Sequence, residues 1–309
     1  MTVRLHVDTD LGGDPDDACA LGMLLGWPDV DLTGVTTTVD PGGLRAGYAA
    51  HLLAMGGRAD VPVTAGAEVS LTHGRVVEPL PSLWPPGIAP RPGPVSRAHD
   101  LLVSSIDRGA TVVAIGPLTT LATLERQRPG TLARARVVVM GGWTGPLGGG
   151  LPAWGPQADW NVAWDPDAAY LVATTAGHLT WVPLAVTLRA TLQAVDLPRL
   201  RASGPLGRLL ADQAVAYADQ LGKAALGRAH AGLPDDLVLV LHDPLACAVA
   251  LGWSGVAVRK HRLTPEHTDA GMVLHEDPGG RPMRMAEQVD GAAFSQAWLS
   301  AVEAAQSGS

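Results

Sequence analysis

The chain is short of several things that would each mark a class of protein. Its 309 residues include two cysteines, Cys19 and Cys247, both in apolar helix-like stretches, where a reduced core thiol is expected rather than a disulfide or a metal ligand. Lys223 and Lys260 are the two lysines, and no block of Lys or Arg occurs anywhere. With a formal net charge of −8, this argues against nucleic acid or an anionic membrane as the main partner and favours a small molecule. Apolar runs such as DDLVLVLHDPLACAVALG are broken by charges and by Pro244, so a membrane span is not expected. MTVRLHVD enters a strand-like pattern within a few residues, which leaves no room for a leader peptide and makes a cytoplasmic protein the expectation. Low-complexity linkers and internal repeats are also missing, and 47% hydrophobic composition is ample for a core. A single domain over residues 1–309 is therefore expected.

What the sequence does have is regular alternation. Short β-branched runs (VRLHVDT, VDLTGVTTT, VPVTAG, TVVAIG, RVVVMGG, LTWVPL) are separated by helix-like runs such as PDDACALGMLLG, LRAGYAAHLLAMGG and SRAHDLLVSSIDRG. That pattern predicts βαβ units and an α/β fold: an open, mostly parallel Rossmann-like sheet over residues 1–185 with helices on both faces. From residue 186 the chain reads as mainly helical to Leu251, then adds a few short strand-like pieces, GVAVRKHRL and AGMVLHE. Two long irregular stretches, 67–94 and 141–163, follow strand ends, the edge where ligands bind in an open parallel sheet.

One stretch needs a chemical explanation. HVDTDLGGDPDDACAL holds five aspartates, Asp8, Asp10, Asp14, Asp16 and Asp17, within ten positions directly after an apolar run. Like charges at a few ångströms raise one another's pKa, so such a cluster needs a cation or a proton once folded. A helix cap would use one carboxylate, with Asp14 as N-cap and Pro15 as the first helical residue, but not five. An EF-hand does not fit, because counting twelve positions from Asp8 arrives at Cys19, after a strand. A haloacid-dehalogenase-type aspartyl nucleophile would want a Gly-Thr that DTDLGG lacks.

DTDLGGDPDDACAL resembles the N-terminal signature of the calcium-dependent, inosine/uridine-preferring nucleoside hydrolases, with Leu11 in place of the usual proline and one residue inserted before the Asp pair. Further matches follow in the family's order: GVTTT at 34–38, VPVTAGAE at 61–68, HG at 73–74, AIGPLTTLA at 114–122, VVVMGGW at 137–143, DWNVAWDPDAA at 159–169, VPLAVT at 182–187 and LHDPLACA at 241–248.

The resemblance implies hydrolysis of the N-glycosidic bond of a ribonucleoside to ribose and free base, by a homo-oligomer, commonly a dimer or tetramer. It implies that Asp10, Asp17, Asp243 and the backbone carbonyl of Thr119 hold Ca²⁺, and that Asp10 is the general base. Asp16 and Asn161 are expected to bind ribose hydroxyls, and Asp159 takes the place of a longer acid toward the 5′ side of the sugar. His242 matches a histidine that serves as acid to the leaving base, or else is simply packed, and His73 matches a residue lining the site. TTTVDPGG offers Asp40 near the position of a ribose-binding asparagine. Nine tryptophans against one phenylalanine suggest flat stacking surfaces; Trp84 and Trp154, in the two long loops, are the expected pocket walls, and Tyr217 and His230 could close the base side. Hydrolysis of a modified nucleoside or another N-glycoside, and a non-catalytic relative that only binds nucleoside or sugar, are the alternative readings.

Overall fold

A computed structural model describes residues 2–80 and 83–307 of the chain. Pro81 and Ser82, inside the long loop expected at 67–94, lie outside the described residues. In chain order the elements are β1 (Val3–Thr9), α1 (Asp16–Gly26), β2 (Val30–Thr37), α2 (Leu44–Met55), β3 (Val63–Thr64), α3 (Val95–Asp107), β4 (Thr111–Ala114), α4 (Thr119–Gln127), β5 (Arg136–Met140), α5 (Trp160–Ala163), α6 (Pro166–Thr175) and β6 (His178–Val182). They continue with α7 (Leu184–Thr187), β7 (Thr191–Gln193), α8 (Leu197–Ala202), α9 (Pro205–Leu221), α10 (Lys223–Ala229), β8 (Leu237–Val240), α11 (His242–Ala250), β9 (Val256–Thr268), β10 (Gly271–Glu276), β11 (Arg281–Val289) and α12 (Gly291–Ser307).

Nine strands form one sheet in the order β10-β9-β11-β6-β5-β4-β1-β2-β3, and β7 and β8 pair separately. The six strands from β3 to β6, and β11 beside β6, run parallel, while β9 pairs antiparallel with both β11 and β10. Because β1 lies between β2 and β4, the chain reverses its direction of travel across the sheet there. That opens a crevice at the carboxyl ends of these strands. The strand period of two sends successive residues to opposite faces: Val113 and Val138 join one buried cluster, and Val112 and Val137 the other.

The C-terminal part differs from the sequence expectation. It is mainly helical as far as α11, but the strand-like pieces after Leu251 are a meander of three full strands, up to 13 residues long, that extends the main sheet through β11 and β6. Only one face of this extension is packed, so its sequence carries charges at short intervals and reads as shorter than it is.

Helix α12 returns to the start of the chain and packs on α1, the helix that begins with Asp16 and Asp17. The indole N–H of fully buried Trp298 donates to the Cys19 carbonyl at 3.0 Å. Near the other end of α1, a Cβ added to Gly26 would come 1.9 Å from the Ala301 carbonyl oxygen, so this crossing requires glycine. Gly26→Ala is expected to push α12 off α1 and to destabilise the protein by about 1–3 kcal/mol, read as a lower urea midpoint. An unchanged midpoint would mean that the two helices do not rely on this contact.

Candidate functional site

Three elements bring the acids together at the crevice. Asp10 lies just past the end of β1, Asp16 and Asp17 open α1, and Asp243 is in the first turn of α11. Ligand atoms of Asp16, Asp17 and Asp243 all lie within 4.8 Å of one another, and the three residues are buried. Both helix N-termini turn their positive dipole ends toward the carboxylates. The Asp243 backbone N–H points at Asp16 Oδ2, 3.4 Å away, and the Thr9 hydroxyl donates to Asp17 Oδ1. Asp10 approaches from the side. Its own charge raises the pKa of Asp16, Asp17 and Asp243, so the four carboxyls form one electrostatic unit.

The loop between β1 and α1 is clamped from below by a buried arginine. Arg45 donates to the backbone carbonyls of Asp10, Leu11, Val39 and Val77, and its positive charge partly offsets the acids above it. From the β4 side, a Cβ on Gly116 would come 2.7 Å from the Asp10 backbone nitrogen and 2.9 Å from its Oδ1, so the chain needs glycine to approach this closely. Burial first, then mutual repulsion, pushes the carboxyls of Asp16, Asp17 and Asp243 well above the ordinary range, and burial raises Asp10 as well. Buried carboxylates crowded in this way fit a hard divalent cation, which takes oxygen ligands.

The other expected residues divide into those gathered around this unit and those directed elsewhere. Asn161, in α5, is buried and donates from Nδ2 to the carbonyl of Met140, the last residue of β5, at 3.1 Å. Thr119 begins α4, with its hydroxyl donating to Asp165 at 2.6 Å. His242 is half-buried beside Asp243; its Nδ1 lies 2.6 Å from the Thr187 hydroxyl, and burial, with a smaller effect from Lys223, pushes the imidazole down to about 3. Tyr217 donates its hydroxyl to Asp14, and Lys223 sits 5.0 Å from the Tyr217 ring centre. His230 is tied to its own helix, Nδ1 donating to the Leu226 carbonyl at 3.0 Å.

Asp40 is a structural residue here. It is fully buried and accepts from the backbone N–H groups of Arg45 and Ala46 and from the Thr37 hydroxyl, which fixes the start of α2. Trp84 lies in the core, 6% exposed, stacked on Tyr48 with ring centres 4.4 Å apart, and Trp154 is half-buried against the same cluster. His73 is exposed and lines a cavity of about 480 Å³ with Trp160 and Trp164.

Two functional contacts were not anticipated from the sequence. Trp160, stacked on Trp164 with ring centres 4.8 Å apart, donates its indole N–H to Asp10 Oδ2 at 3.1 Å, so it is the tryptophan that touches the acidic unit. Asp165 accepts from Leu71 N, Thr72 N and the Thr72 and Thr119 hydroxyls, tying the 67–94 loop to α4. The Asp-Pro pair at 165–166 was a readable helix-start signal. Nothing local announced its other partners.

Two further acids show what burial does without a cation. Asp8 accepts from Thr36 at 2.5 Å, and Thr36 lies 3.0 Å from Nε2 of buried His6, whose Nδ1 is 2.9 Å from Ser105. Burial pushes Asp8 up to about 8 and His6 down to about 3, so burial disfavours charge on both ends of this network. Asp159, 1% exposed, accepts from Gly142 N at 2.7 Å through Oδ2, while Oδ1 is buried without a partner, and burial pushes its carboxyl up to about 7.

Comparison with known proteins agrees with this geometry. The sequence model of the family described as inosine-uridine preferring nucleoside hydrolase matches residues 5–296. The pyrimidine-specific ribonucleoside hydrolase RihA of Salmonella agona is 30% identical over 227 residues, covering 69% of this chain and 70% of that protein. Among solved structures, the plant nucleoside hydrolase PpNRh1 superimposes with a TM-score of 0.79 at 22% identity, over 98% of this chain and 99% of that one. The purine-preferring ribonucleoside hydrolase of Gardnerella vaginalis gives 0.77 at 21% identity, over 99% and 100% of the two chains. At those identities the superpositions speak for the fold.

The buried Asp159 has a consequence for stability. Its folded pKa is raised, so the stability it contributes is fully present below the ordinary carboxylate pKa and is lost as pH rises from about 4 through about 7. Asp159→Asn should remove that loss, at most about 4 kcal/mol. In urea unfolding at a series of pH values, the wild type should lose stability relative to the variant across that interval and run parallel to it above. A constant difference would show that Asp159 is ionised in the folded protein at low pH.

Proposed function

The chain belongs to the inosine-uridine preferring nucleoside hydrolase family and hydrolyses the N-glycosidic bond of ribonucleosides, and on that premise we propose how its own residues do so. The observation that carries the reading is the buried group Asp16, Asp17 and Asp243 with Asp10 beside it, at the carboxyl edge of the sheet. We assign the cation to Ca²⁺, held by Asp10, Asp17, Asp243 and the Thr119 carbonyl. Bound there, Ca²⁺ would supply Lewis acidity and an oxygen-rich template for the sugar diol.

Around that centre each residue has a separate task. Asp10 takes the proton of the attacking water at Oδ1, because Oδ2 already accepts the Trp160 indole hydrogen. Asp16 and Asn161 hold the ribose hydroxyls and so fix C1′ relative to the water. Asp159 closes the sugar end. The C1′–N bond breaks with the electron pair leaving on the base, which gains a proton to become the free base, and the water oxygen, having given a proton to Asp10, bonds C1′. The positive charge that develops on the sugar on the way is stabilised by the surrounding carboxylates. His242, with Nδ1 engaged by Thr187, presents Nε2 to the departing base as a neutral hydrogen-bond donor. His73 and Trp160, which line one cavity together, complete the walls, whereas Trp84, stacked on Tyr48 in the core, and Trp154, packed against the same cluster, do not.

The natural relatives divide by name between pyrimidine-specific and purine-preferring enzymes, so base choice is a property of this chain's own loops. The setting we infer is cytoplasmic nucleoside salvage by a homo-oligomer. Both cysteines are free and buried, as suits a reducing compartment, and no helix among the described residues is long and apolar enough to cross a membrane.

Asp10→Asn is expected to lower kcat by about two to four orders of magnitude with little change in melting temperature. Near-normal turnover of a ribonucleoside panel would remove Asp10 as the base. Chelation should abolish release of reducing sugar and Ca²⁺ should restore it, with calorimetric Ca²⁺ binding lost in Asp243→Asn; restoration by Mg²⁺ alone would reassign the ion. His242→Ala should slow natural nucleosides at least tenfold more than p-nitrophenyl riboside, whose leaving group needs no proton. Equal slowing of both would leave His242 a packed residue.

A further inference from the structure

A cavity of about 1010 Å³ lies at the other edge of the sheet, where β4, β5 and β6 begin. Its apolar walls include Val249 and Ala250 from the end of α11 and Val256 and Val258 from β9, with Trp253 between them. Its charged lining residues are all basic: Arg134, Arg136, Lys260 and Arg284, with His178 beside them. In a chain of net charge −8, no acidic side chain lines it.

These cations are not equivalent. Arg134 donates to Asp107, and Arg136 donates to the Gly109 carbonyl at 2.6 Å, so both are engaged at the end of α3. Lys260 and Arg284 are cross-strand partners in the antiparallel β9–β11 pair, and neither has an acidic or hydrogen-bonding side-chain partner among the described residues. Like charges directly opposite on a sheet destabilise it. Arg284 is also in register with Thr180 of β6, a hydroxyl lining the same cavity. A doubly charged oxyanion between Lys260 and Arg284 would turn repulsion into two charge-assisted hydrogen-bond contacts, the Arg fork being suited to phosphate.

We propose that this groove binds a small phosphate monoester, with the phosphate between Lys260 and Arg284 and the organic part against Trp253 and the Val256–Val258 wall. The concave, ligand-sized cavity and the apolar wall favour a small molecule over an extended polyanion. The site is separate from the acidic crevice, at the opposite edge of the sheet, although α11 runs between the two, from Asp243 to Ala250.

The test is calorimetric titration of the full chain with inorganic phosphate and with uridine 5′-monophosphate, at constant ionic strength against chloride, for the wild type and for the double variant Lys260→Gln, Arg284→Gln. Saturable binding to the wild type that weakens at least tenfold in the double variant, with nucleoside turnover unchanged, is the expected result. Binding of both probes identifies phosphate itself as sufficient, and binding of the monoester alone shows that the apolar wall is also needed. Either supports the site. No binding by the wild type, or equal affinity in the double variant, overturns it. Lys260→Glu provides an independent reading: it should raise the melting temperature in phosphate-free buffer by pairing with Arg284 and should abolish the phosphate response. An unchanged or lower melting temperature there would show that Lys260 and Arg284 do not repel across the strands.

Discussion

Everything in this fold that bears on chemistry depends on keeping several carboxylates together against their repulsion. Asp16, Asp17 and Asp243 are buried within a few ångströms, and Asp10 adds a fourth charge from the side. Left alone, such a group would take up protons or move apart. The protein supplies partial compensation from fixed dipoles: the N-termini of α1 and α11, the Thr9 hydroxyl and the Arg45 guanidinium. None of these neutralises the group fully. The remaining deficit is of the kind that a hard cation with oxygen ligands would offset.

Holding that arrangement is a task for the whole molecule. Helix α1 is buried from Asp16 to Leu24, which ties the two acids to the core, and α12 crosses it through the Trp298 hydrogen bond and the Gly26 contact. Arg45 holds the β1–α1 loop by its backbone carbonyls rather than by a side chain, so the loop's shape does not depend on which residues it displays. That is compatible with the departures at Leu11 and with the extra residue before the Asp pair. Beneath the site, the hydrogen-bonded run Asp8, Thr36, His6 and Ser105 fills the space, with burial opposing charge on both Asp8 and His6.

Much of this was legible in the sequence because its causes are local. Short β-branched runs separated by helix-like runs mark β1, β2, β4, β5 and β6, and five aspartates after a strand signal an electrostatic problem wherever they fold. Asp243 was legible by resemblance, since nothing near residue 243 predicts a partner at residue 16. What escaped depends on contacts made at long range. Trp84 and Trp160 are similar in sequence, each a tryptophan in a long loop. One stacks on Tyr48 inside the core, while the other stands exposed and bonds Asp10, and only the path of each loop decides which. Asp40, beside the strand end and therefore a fair candidate for the sugar, is consumed by the start of α2.

The same topology that gathers acids at one edge of the sheet gathers bases at the other. In a parallel α/β fold, helices begin near the carboxyl ends of the strands and finish near their amino ends, so one edge presents positive dipole ends and the opposite edge negative ones. Carboxylates are tolerated at the first and cations at the second, which accounts for Arg134 and Arg136 at the end of α3. It does not account for Lys260 and Arg284. They stand on strands, opposite one another in the antiparallel pair. Their cationic neighbourhood is invisible in the sequence because its members come from residues 134, 136, 260 and 284, a spread that reads as four isolated charges. Placed by β5, β9 and β11 around one cavity, they form the counterpart of the aspartate cluster: like charges held in register by the fold, in a position where a ligand of opposite sign lowers the energy of the whole arrangement.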